Sequence, residues 1–518
     1  MVKANSVCYY EFYRHSVENS SLEKRSLQMV KEITERNKKI LLIVLIAGCF
    51  LSTLNQTLLN VALSDFMDVF HVTPATVQWL STGFMLVNGV LVPITAFLMK
   101  RFTTRQLFIS SMVFLLIGSV LCACAINFGV LLTGRMIQAI GAGIIMPLMM
   151  TVILYLYPSE KRGSVMGTIG FAIIFAPAIA PTLSGFIIEY VSWRWLFIGL
   201  IPFLCIVIVL AFNYLMNVAE TTKAKLDITS VLLSTIGFGC MLFGFSSAGS
   251  KGWDNPIVIT TIVVGIIVTA LFCLRQMKAN DPLLNLHVFK YKVFTLTSFI
   301  NVLITMIMYA DLILLPIYLQ NGRGFTAFEA GLLLLPGAIV NAFLSPVTGK
   351  MYDKHGAKPL FITGLLFVIV SMWGVIGLTE STTYVYLMAR TIILRIGLSF
   401  ISMPLNTAGL NALPRELGSH GSAVNNTIRQ LAGAIGTAVV VTVYTIQATP
   451  HAAELSMENK SMTAAQLAKL ASIFGSSHAY VFMLVFSFVA LLFSCFMPKK
   501  TAIQKSMPEK AVVQKSQS

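Results

Sequence analysis

Long apolar runs follow one another through most of this chain. Of its 518 residues, 56% are hydrophobic and 11% carry a charge. Several runs exceed the ~20 residues that a helix needs to cross a hydrocarbon core of ~30 Å. We therefore predict an all-α polytopic membrane protein with about 14 transmembrane helices. Their predicted residues are 40–63, 77–99, 106–125, 128–156, 164–188, 195–217, 227–247, 256–274, 293–319, 328–349, 359–378, 384–412, 421–446 and 478–497.

Positive charge is concentrated on one side of the predicted membrane. The net charge is +16, and most of the 37 lysines and arginines fall in the tails and in alternate loops. The positive-inside rule places such loops in the cytoplasm, so both termini are predicted to be cytoplasmic. The basic balance thus indicates topology and contact with anionic lipid headgroups, rather than a nucleic-acid partner. Residues 1–39 and 498–518 would be tails, and residues 1–28 are hypothesised to be dispensable because Met29 offers an ordinary start.

The stretch 128–188 has the features of a moving part. Its first helix carries Arg135 among glycines, and its second carries Pro177 and Pro181 with Gly185 beyond them. Small residues let helices approach closely in lipid, and proline removes a backbone donor and bends a helix. A buried arginine should face the bundle interior and hydrogen-bond carbonyl groups there. The alternative is a helix-packing site with a snorkelling arginine.

Two loops resemble each other and indicate an internal repeat. The loop 96–105 joins predicted spans two and three, and the loop 349–358 joins spans ten and eleven. The second copy has the ordered glycines, acid and bases that the first has partly lost. We predict that both loops gate the cytoplasmic face, through Arg101, Arg105, Gly349, Asp353, Gly356 and Lys358.

The repeat also predicts how the chain is divided. Arg135 in span four has an approximate counterpart in Arg390 or Arg395 of span twelve. Repeated bundles around a central cavity are how many secondary transporters alternate access. We predict six-helix bundles at 40–217 and 293–497 and an inserted helix pair with linkers at 218–292. The one sizeable outer loop, 447–477, would hold a short interfacial helix near 462–470.

A set of motifs spread over 40–497 carries a family resemblance. They are the first-span motif 54–63, Gly134-Arg135 with Gln138 and Gly141 in span four, Pro177, Pro181 and Gly185 in span five, and the segments 192–197, 282–286 and 429–430. Together they resemble the major facilitator superfamily, specifically its fourteen-span drug:proton antiporter family. With an asparagine at this place in span one, the chain resembles the lincomycin-resistance-type branch of that family. The resemblance implies that Arg135 contacts the fifth-span motif and takes part in proton coupling.

A candidate for the coupling carboxylate lies in span nine. Asn55 stands where many relatives have an aspartate, and Asp311 is the only acid that falls deep within a predicted span. An ionisable side chain inside the membrane is a functional-site candidate by default. A carboxylate that holds a proton in one access state and releases it in another would couple transport to protons. The alternative is an aspartate that is hydrogen-bonded to neighbouring hydroxyls as structural glue.

Polar side chains within the spans predict a substrate cavity. Amides inside the membrane can hold water, a drug amine or the coupling proton, although each alone is more often an interhelical hydrogen bond. The predicted cavity residues are Asn55, Gln56, Asn60, Gln138, Asn301, Asn406, Asn425 and Arg429.

Three functional classes are compared. An exporter of amphiphilic drugs driven by protons fits the pattern best, and an exporter of a metabolite, peptide or lipid on the same fold is the alternative. A membrane-embedded lipid-modifying enzyme would need a catalytic pair, whereas the seven histidines lie in loops, tails or span ends. The eight cysteines lie mostly in apolar runs and suggest no metal site. We predict a non-enzymatic, cofactor-free monomer in a bacterial plasma membrane, with small amphiphiles, protons and lipids as partners.

Overall fold

Fourteen long α-helices make up most of the described chain. The computed structural model describes residues 35–59, 62–218, 227–279, 282–458 and 462–498. By length and composition, 13 described helices can cross a membrane, and α11, with 17 residues, is a shorter apolar helix. The predicted all-α membrane fold is therefore confirmed. The helices are α1 Glu35–Leu58, α2 Trp79–Arg101, α3 Thr104–Ala123, α4 Phe128–Leu156, α5 Arg162–Tyr190, α6 Leu200–Tyr214, α7 Ile228–Lys251, α8 Pro256–Lys278, α9 Lys292–Ile317, α10 Ala327–His355, α11 Ala357–Trp373, α12 Tyr384–Asn411, α13 Gly418–Glu458 and α14 Ala464–Cys495.

Side-chain caps set where several helices begin, and one of them corrects a prediction. Thr326 and Thr463 each form a capping box at the start of α10 and α14. The segment predicted as an interfacial helix, near 462–470, is therefore the first part of α14. Since α13 also continues past 450, the predicted outer loop 447–477 is largely helical. Hydropathy marks only the part of a helix that lipid covers, so it cannot show that the helix continues beyond the membrane.

Two main apolar cores hold the two six-helix bundles, α1–α6 and α9–α14, and the inserted pair α7 and α8 shares the first core. One core collects buried side chains from α1–α8, and the other collects those from α9–α14. The first core also takes in a few side chains from the ends of α9, α12 and α13, where the bundles meet. The bundles pack against each other along two seams, α5 against α10 and α2 against α13.

One end of the molecule carries the basic loops. The turns between α2 and α3, between α4 and α5 and between α10 and α11 share this end, because consecutive helices run in opposite directions. We call it the basic face; it carries Lys100, Arg105, Lys161, Lys350 and Lys358.

The inserted pair is held together at the basic face by an ion pair. Asp227 caps α7, and its Oδ2 and Oδ1 accept hydrogen bonds from Arg275 of α8 at 2.9 and 3.0 Å. These bonds, together with those from Ser230, lower the pKa of Asp227 to about 2. Elsewhere α7 packs on both bundles, since it contacts α2 and α13. The indole of Trp253, beyond α7, donates to the hydroxyl of Thr442 on α13.

Candidate functional site

The carboxylate of Asp353 joins the two bundles at the basic face. It lies in the last turn of α10 and accepts hydrogen bonds from the first turn of α5. The N–H of Gly163 is 2.8 Å from Oδ1, and the N–H of Ser164 is 2.7 Å from Oδ2. Helix N-termini carry unpaired N–H groups and partial positive charge, so they favour a carboxylate. Asp353 therefore binds the end of one bundle to the start of a helix in the other.

Glycines bring α5 and α10 into backbone contact near the basic face. A Cβ atom at Gly163 would lie 2.4 Å from Asp353 Oδ1, and one at Gly167 would lie 2.4 Å from the carbonyl oxygen of Ser345. A Cβ at Gly349 would lie 2.2 Å from the carbonyl oxygen of Gly163. The Ser345 hydroxyl donates to the Gly167 carbonyl at 3.0 Å. Larger side chains at these positions would force the bundles apart.

The glycines of the same two helices have different surroundings towards the opposite face. Gly185 lies about five turns beyond Gly167 on the same side of α5, and Gly331 and Gly349 are related in the same way on α10. A Cβ at Gly185 or Gly331 would meet no atom of the described residues within 4 Å. The close glycine contacts of the α5/α10 seam therefore lie at the basic face, and its glycines nearer the opposite face have no such neighbour.

Arg162 adds a second link between the bundles. Its Nη1 donates to Asn411 Oδ1 of α12 at 2.7 Å, while Nε and Nη2 donate to the carbonyl oxygens of Tyr157 and Leu154 at 2.9 and 2.7 Å. Asn411 in turn donates to the hydroxyl of Tyr352 on α10 at 3.3 Å. Arg162 was not predicted from the sequence as a site residue, because a basic residue in a short loop looks like any other topology signal.

Arg135 is buried in the first bundle with neutral partners. Its Nη1 donates to Gln138 Oε1 at 2.9 Å and to the carbonyl oxygen of Asn55 on α1 at 3.2 Å, with Asn55 Oδ1 at 3.5 Å. Gln138 donates onward to the hydroxyl of Ser119 at 2.9 Å, and the guanidinium stacks on Phe84 with 4.5 Å to the ring centre. These bonds go to α1 and α4, not to the proline motif of α5. A carbonyl and two amides thus accept hydrogen bonds from Nη1 without a carboxylate, while the buried Nε has no partner among the described residues.

Asp311 is buried in the second bundle with a charged partner. Its Oδ1 lies 2.6 Å from Nη1 of Arg390 on α12 and accepts a hydrogen bond from the Tyr480 hydroxyl of α14 at 3.3 Å. Arg390 also donates from Nε to the carbonyl oxygen of Ser371 at 3.2 Å. The Asp311 carboxyl has no exposed surface, and its Oδ2 has no hydrogen-bond partner. From the sequence, Arg390 was predicted only as a counterpart of Arg135, and nothing in the pattern pointed to Tyr480.

Three predicted cavity amides form one cluster in the second bundle. Asn301 of α9 donates to Asn425 Oδ1 of α13 at 2.7 Å, and Asn425 donates to Asn406 Oδ1 of α12. Asn406 donates to the carbonyl oxygen of Ser402 at 3.0 Å. The cluster therefore joins three helices, of which α12 and α13 contact the other bundle.

The remaining predicted residues lie apart from these clusters. Pro177, Pro181 and Gly185 lie on α5, which is one uninterrupted helix in this region. Gln56 and Arg429 are partly exposed. Asn60 and the side chain of Pro181 lie outside the described residues. Gln138 and Asn55, also predicted to line the cavity, belong instead to the Arg135 cluster described above.

The two predicted gating loops make equivalent contacts. Arg105 is the second residue of α3, and its Nη2 donates to the carbonyl oxygen of Phe212 near the end of α6. Lys358 is the second residue of α11, and its Nζ donates to the carbonyl oxygen of Cys495 at the end of α14, at 2.6 Å. Each cation thus satisfies a helix C-terminus. Arg101 is exposed, and Gly356 takes the left-handed φ of 82° between α10 and α11.

Comparison with known proteins identifies this arrangement. A family model described as Major Facilitator Superfamily matches residues 45–437. The chain is 49% identical over 434 residues to the MFS-type transporter YhcA of Bacillus subtilis (strain 168), over 84% of this chain and 81% of that protein. It is 44% identical over 462 residues to the lincomycin resistance protein LmrB of the same organism, over 89% of this chain and 95% of that protein. The solved structure of the proton:xylose symporter XylE has a TM-score of 0.61, covers 90% of this chain and 97% of its own, and is 14% identical, which is a likeness of fold.

With a family model that spans most of its length and relatives that cover nearly all of its helices, this chain belongs to the Major Facilitator Superfamily and is a multi-pass membrane transporter.

Proposed function

We propose that the protein exports amphiphilic small molecules, including drugs, in exchange for protons. The observation that carries the proposal is Asp311, a carboxylate in mid-membrane with one oxygen on Arg390 and the other free. The name of the relative LmrB, a lincomycin resistance protein, supports a drug as cargo. A metabolite, peptide or lipid would use the same fold, and the assay below also accepts those substrates.

The coupling step follows from the electrostatics of a buried pair. Ionised Asp311 is stabilised by Arg390 and by the Tyr480 hydroxyl. A proton taken from the opposite face at Oδ2 removes the charge and weakens both contacts. Because an isolated charge is costly in this environment, the bundle must rearrange when the proton arrives or leaves. Arg135, whose partners are neutral, would serve as a positioning residue between α1 and α4.

Alternating access would use the α5/α10 seam. In the conformation described, Asp353 and Arg162 hold the basic face closed, and the glycines of the seam nearer the other end have no close neighbour among the described residues. We propose that the basic face is cytoplasmic, on the strength of its lysines and arginines. The structure would then be an outward-facing state from which cargo leaves and to which protons bind.

The topology and boundaries are proposed as follows. Both termini lie in the cytoplasm of a bacterium, and the protein works as a monomer surrounded by membrane lipids. The bundles span 40–217 and 293–497, with tails at 1–39 and 498–518 and the inserted pair with its linkers at 218–292. Reporter fusions at Lys161 and Lys354 should report cytoplasm, and one at Glu454 the outside. An outside signal at Lys354 would overturn this topology.

The proposed function is tested by transport into everted membrane vesicles. Vesicles that contain the protein should accumulate lincomycin or a fluorescent amphiphile when a proton gradient is imposed, and should lose it when a protonophore collapses the gradient. Vesicles without the protein provide the background. Accumulation that survives the protonophore would contradict proton coupling, and turnover of a lipid without transport would favour the enzyme.

A further inference from the structure

A cavity of about 520 Å³ lies at the end of the second bundle that is opposite the basic face. Because α11 and α13 both begin at the basic face, the loop between α11 and α12, the end of α13 and the start of α14 meet at the opposite end. We call this space the α14 cavity, and its size is within the range that holds a drug-sized molecule. Its lining residues are Leu378, Thr379, Glu380, His451, Leu455, Leu470, Ile473, Phe474, Ser477 and His478.

The α14 cavity is separate from the seams between the two bundles. Those seams are formed by α5 with α10 and by α2 with α13, whereas α11 and α14 pack mainly on helices of their own bundle. No residue of the candidate site described above lines the cavity. A molecule bound there would therefore leave the space between the bundles free.

Hydrogen bonds hold the walls of the α14 cavity in place. The hydroxyl of Tyr318, in the π-helical segment that follows α9, donates to the carbonyl oxygen of Thr379 at 3.0 Å. The hydroxyl of Ser477 donates to the carbonyl oxygen of Ile376, so the loop between α11 and α12 is also fixed to α14. A site whose walls are ordered before a ligand arrives loses little binding energy in ordering them.

Three aromatic rings form one wall of the cavity. The ring of Phe474 is stacked on His451 with 3.9 Å between ring centres and packs against His478 with 4.2 Å between ring centres. Nδ1 of His478 lies 3.0 Å from the carbonyl oxygen of Phe474. A carbonyl oxygen only accepts, so this Nδ1 carries a hydrogen and Nε2 of the neutral ring is an acceptor. The wall therefore offers aromatic surface and a nitrogen lone pair.

The permanent charge in the lining is negative. Glu380 is the one acid or base other than histidine among the ten lining residues. Its Oε2 accepts a hydrogen bond from Lys469 at 3.0 Å, but Lys469 does not line the cavity. The Glu380 side chain is 47% exposed. Exposed ion pairs are weak, so a second cation can share this carboxylate.

We propose that the α14 cavity is a binding site for a small amphiphilic cation, separate from the transport path between the bundles. The carboxylate of Glu380 attracts the positive charge of the ligand. The apolar body of the ligand packs on the aliphatic side chains of the lining and on the ring of Phe474, since aromatic groups favour offset or edge-to-face contact. The inference goes beyond the proposed function, because it requires neither export nor a proton gradient.

The experiment compares tetraphenylphosphonium with tetraphenylborate, two ions of nearly the same size and shape but opposite charge. Leu455→Cys places a thiol in the lining of the full chain, in detergent and in a background whose native cysteines have been replaced. Each ion is titrated against the rate at which a soluble maleimide labels this thiol. Tetraphenylphosphonium should protect the thiol at about a five- to tenfold lower concentration than tetraphenylborate, because it is attracted to the carboxylate. Met457→Cys is the control and should not be protected, since Met457 is 78% exposed on the same helix and lies outside the lining.

Two further variants separate charge from packing. Glu380→Gln removes the charge and should raise the half-protecting concentration of tetraphenylphosphonium about five- to tenfold, without raising that of tetraphenylborate. Phe474→Leu removes a ring and should weaken the binding of both ions alike. Glu454→Gln is the matched control, since Glu454 is a carboxylate 3.7 Å from His451 but lies outside the lining. It should leave both titrations unchanged.

Each outcome either supports the cation site or overturns it. Equal protection by the two ions, or better protection by tetraphenylborate, overturns the preference for a cation. Equal protection of Leu455→Cys and Met457→Cys shows that the ions do not bind in the cavity. An unchanged titration in Glu380→Gln overturns the role of the carboxylate. The comparison of the two ions needs no change at Glu380 or Phe474, and no gradient is imposed, so a failure of proton-driven transport in vesicles would leave this result unaffected.

Discussion

The two bundles each bury an arginine at an equivalent place but satisfy it differently. In the first bundle, Arg135 bonds to an amide and a carbonyl. In the second, Arg390 forms an ion pair with Asp311. Neutral partners do not change their charge with pH, whereas a carboxylate can bind a proton. We therefore propose that the proton chemistry of the duplicated architecture lies in its second half, since the partners of the buried arginine in the first half do not titrate.

The largest expected effect comes from removing the acid of the second bundle. Asp311→Asn should reduce gradient-driven efflux about a hundredfold or more, because breaking a buried pair costs about 3–5 kcal/mol and leaves no group to carry the proton. Substrate binding should persist, and substrate-induced proton release in detergent should be lost. Both are measured on the purified protein. Normal pumping by Asp311→Asn would mean that the coupling site lies elsewhere and that Asp311 is structural.

A second prediction concerns the surface where the two bundles touch. Gly349→Ala would place a methyl group 2.2 Å from the carbonyl oxygen of Gly163, so the bundles should separate at the basic face. Overpacking of this kind costs about 1–3 kcal/mol, and a cost of about 1.4 kcal/mol corresponds to about a tenfold loss of transport rate. Gly331→Ala lies on the same helix, where a Cβ would meet nothing within 4 Å among the described residues; it is the matched control and should behave like the wild type. Thiol labelling at the basic face reports the opening, and equal labelling of the two variants would refute the contact.

Replacing Asp353, the acid of the loop 349–358, is expected to have a smaller effect on transport. Asp353→Asn keeps the shape but removes the charge at the start of α5, which is worth about 1 kcal/mol at a helix N-terminus. Transport should slow by about three- to tenfold, with protein abundance near normal. The first loop has no acid at the corresponding place, so Lys100→Gln serves as the comparison and should change the rate less. A collapse of abundance in Asp353→Asn would show that the loop supports folding only.

The first bundle, whose buried arginine has neutral partners, can also be made to resemble the second, whose buried arginine has a charged partner. Asn55→Asp would bring a carboxylate to Arg135, whose Nη1 is 3.5 Å from Asn55 Oδ1. A charge-assisted bond there should raise stability by about 1 kcal/mol, seen as a higher Tm in detergent at pH 7. Combined with Asp311→Asn, it should restore part of the substrate-induced proton release. A lower Tm would show that the first bundle does not accept the charge.

The smallest effect is expected outside both bundles. The carboxylate of Asp227 is about one-third exposed and its partner Arg275 nearly half exposed, so Asp227→Asn should cost less than about 1 kcal/mol. The pKa of Asp227 is about 2 in the folded protein, below the ordinary 3.8. The contribution of the pair is therefore complete above about pH 4 and is lost as the pH falls towards 2. Thermal unfolding of the variant and the wild type at pH 7 and pH 3 measures the difference, which should be smaller at pH 3. A transport defect in Asp227→Asn would show that the inserted pair takes part in coupling.

Much of the fold could be predicted because membranes leave few choices. Apolar runs of sufficient length must be helices, and the fourteen predicted spans correspond to α1–α14. The prediction was wrong for 447–477, most of which is helical, since α13 continues to Glu458 and α14 begins at Ala464 after the Thr463 capping box. The sequence also pointed to Asp353 and Asp311 as unusual acids, since acids are scarce in such a chain. It could not supply their partners, which lie far away along the chain.

By itself, the sequence determined the helices, the basic face and the scarcity of acids within the spans, because hydropathy and charge act locally and are read along the chain. Only the tertiary structure decided which charges meet. Asp311 joins Arg390 and Tyr480, which are 79 and 169 residues away, and Gly163 joins Asp353 across 190 residues. The contact between α5 and α10 depends on glycines of both helices facing each other. Such pairings arise from how helices pack in three dimensions, and no local pattern records them.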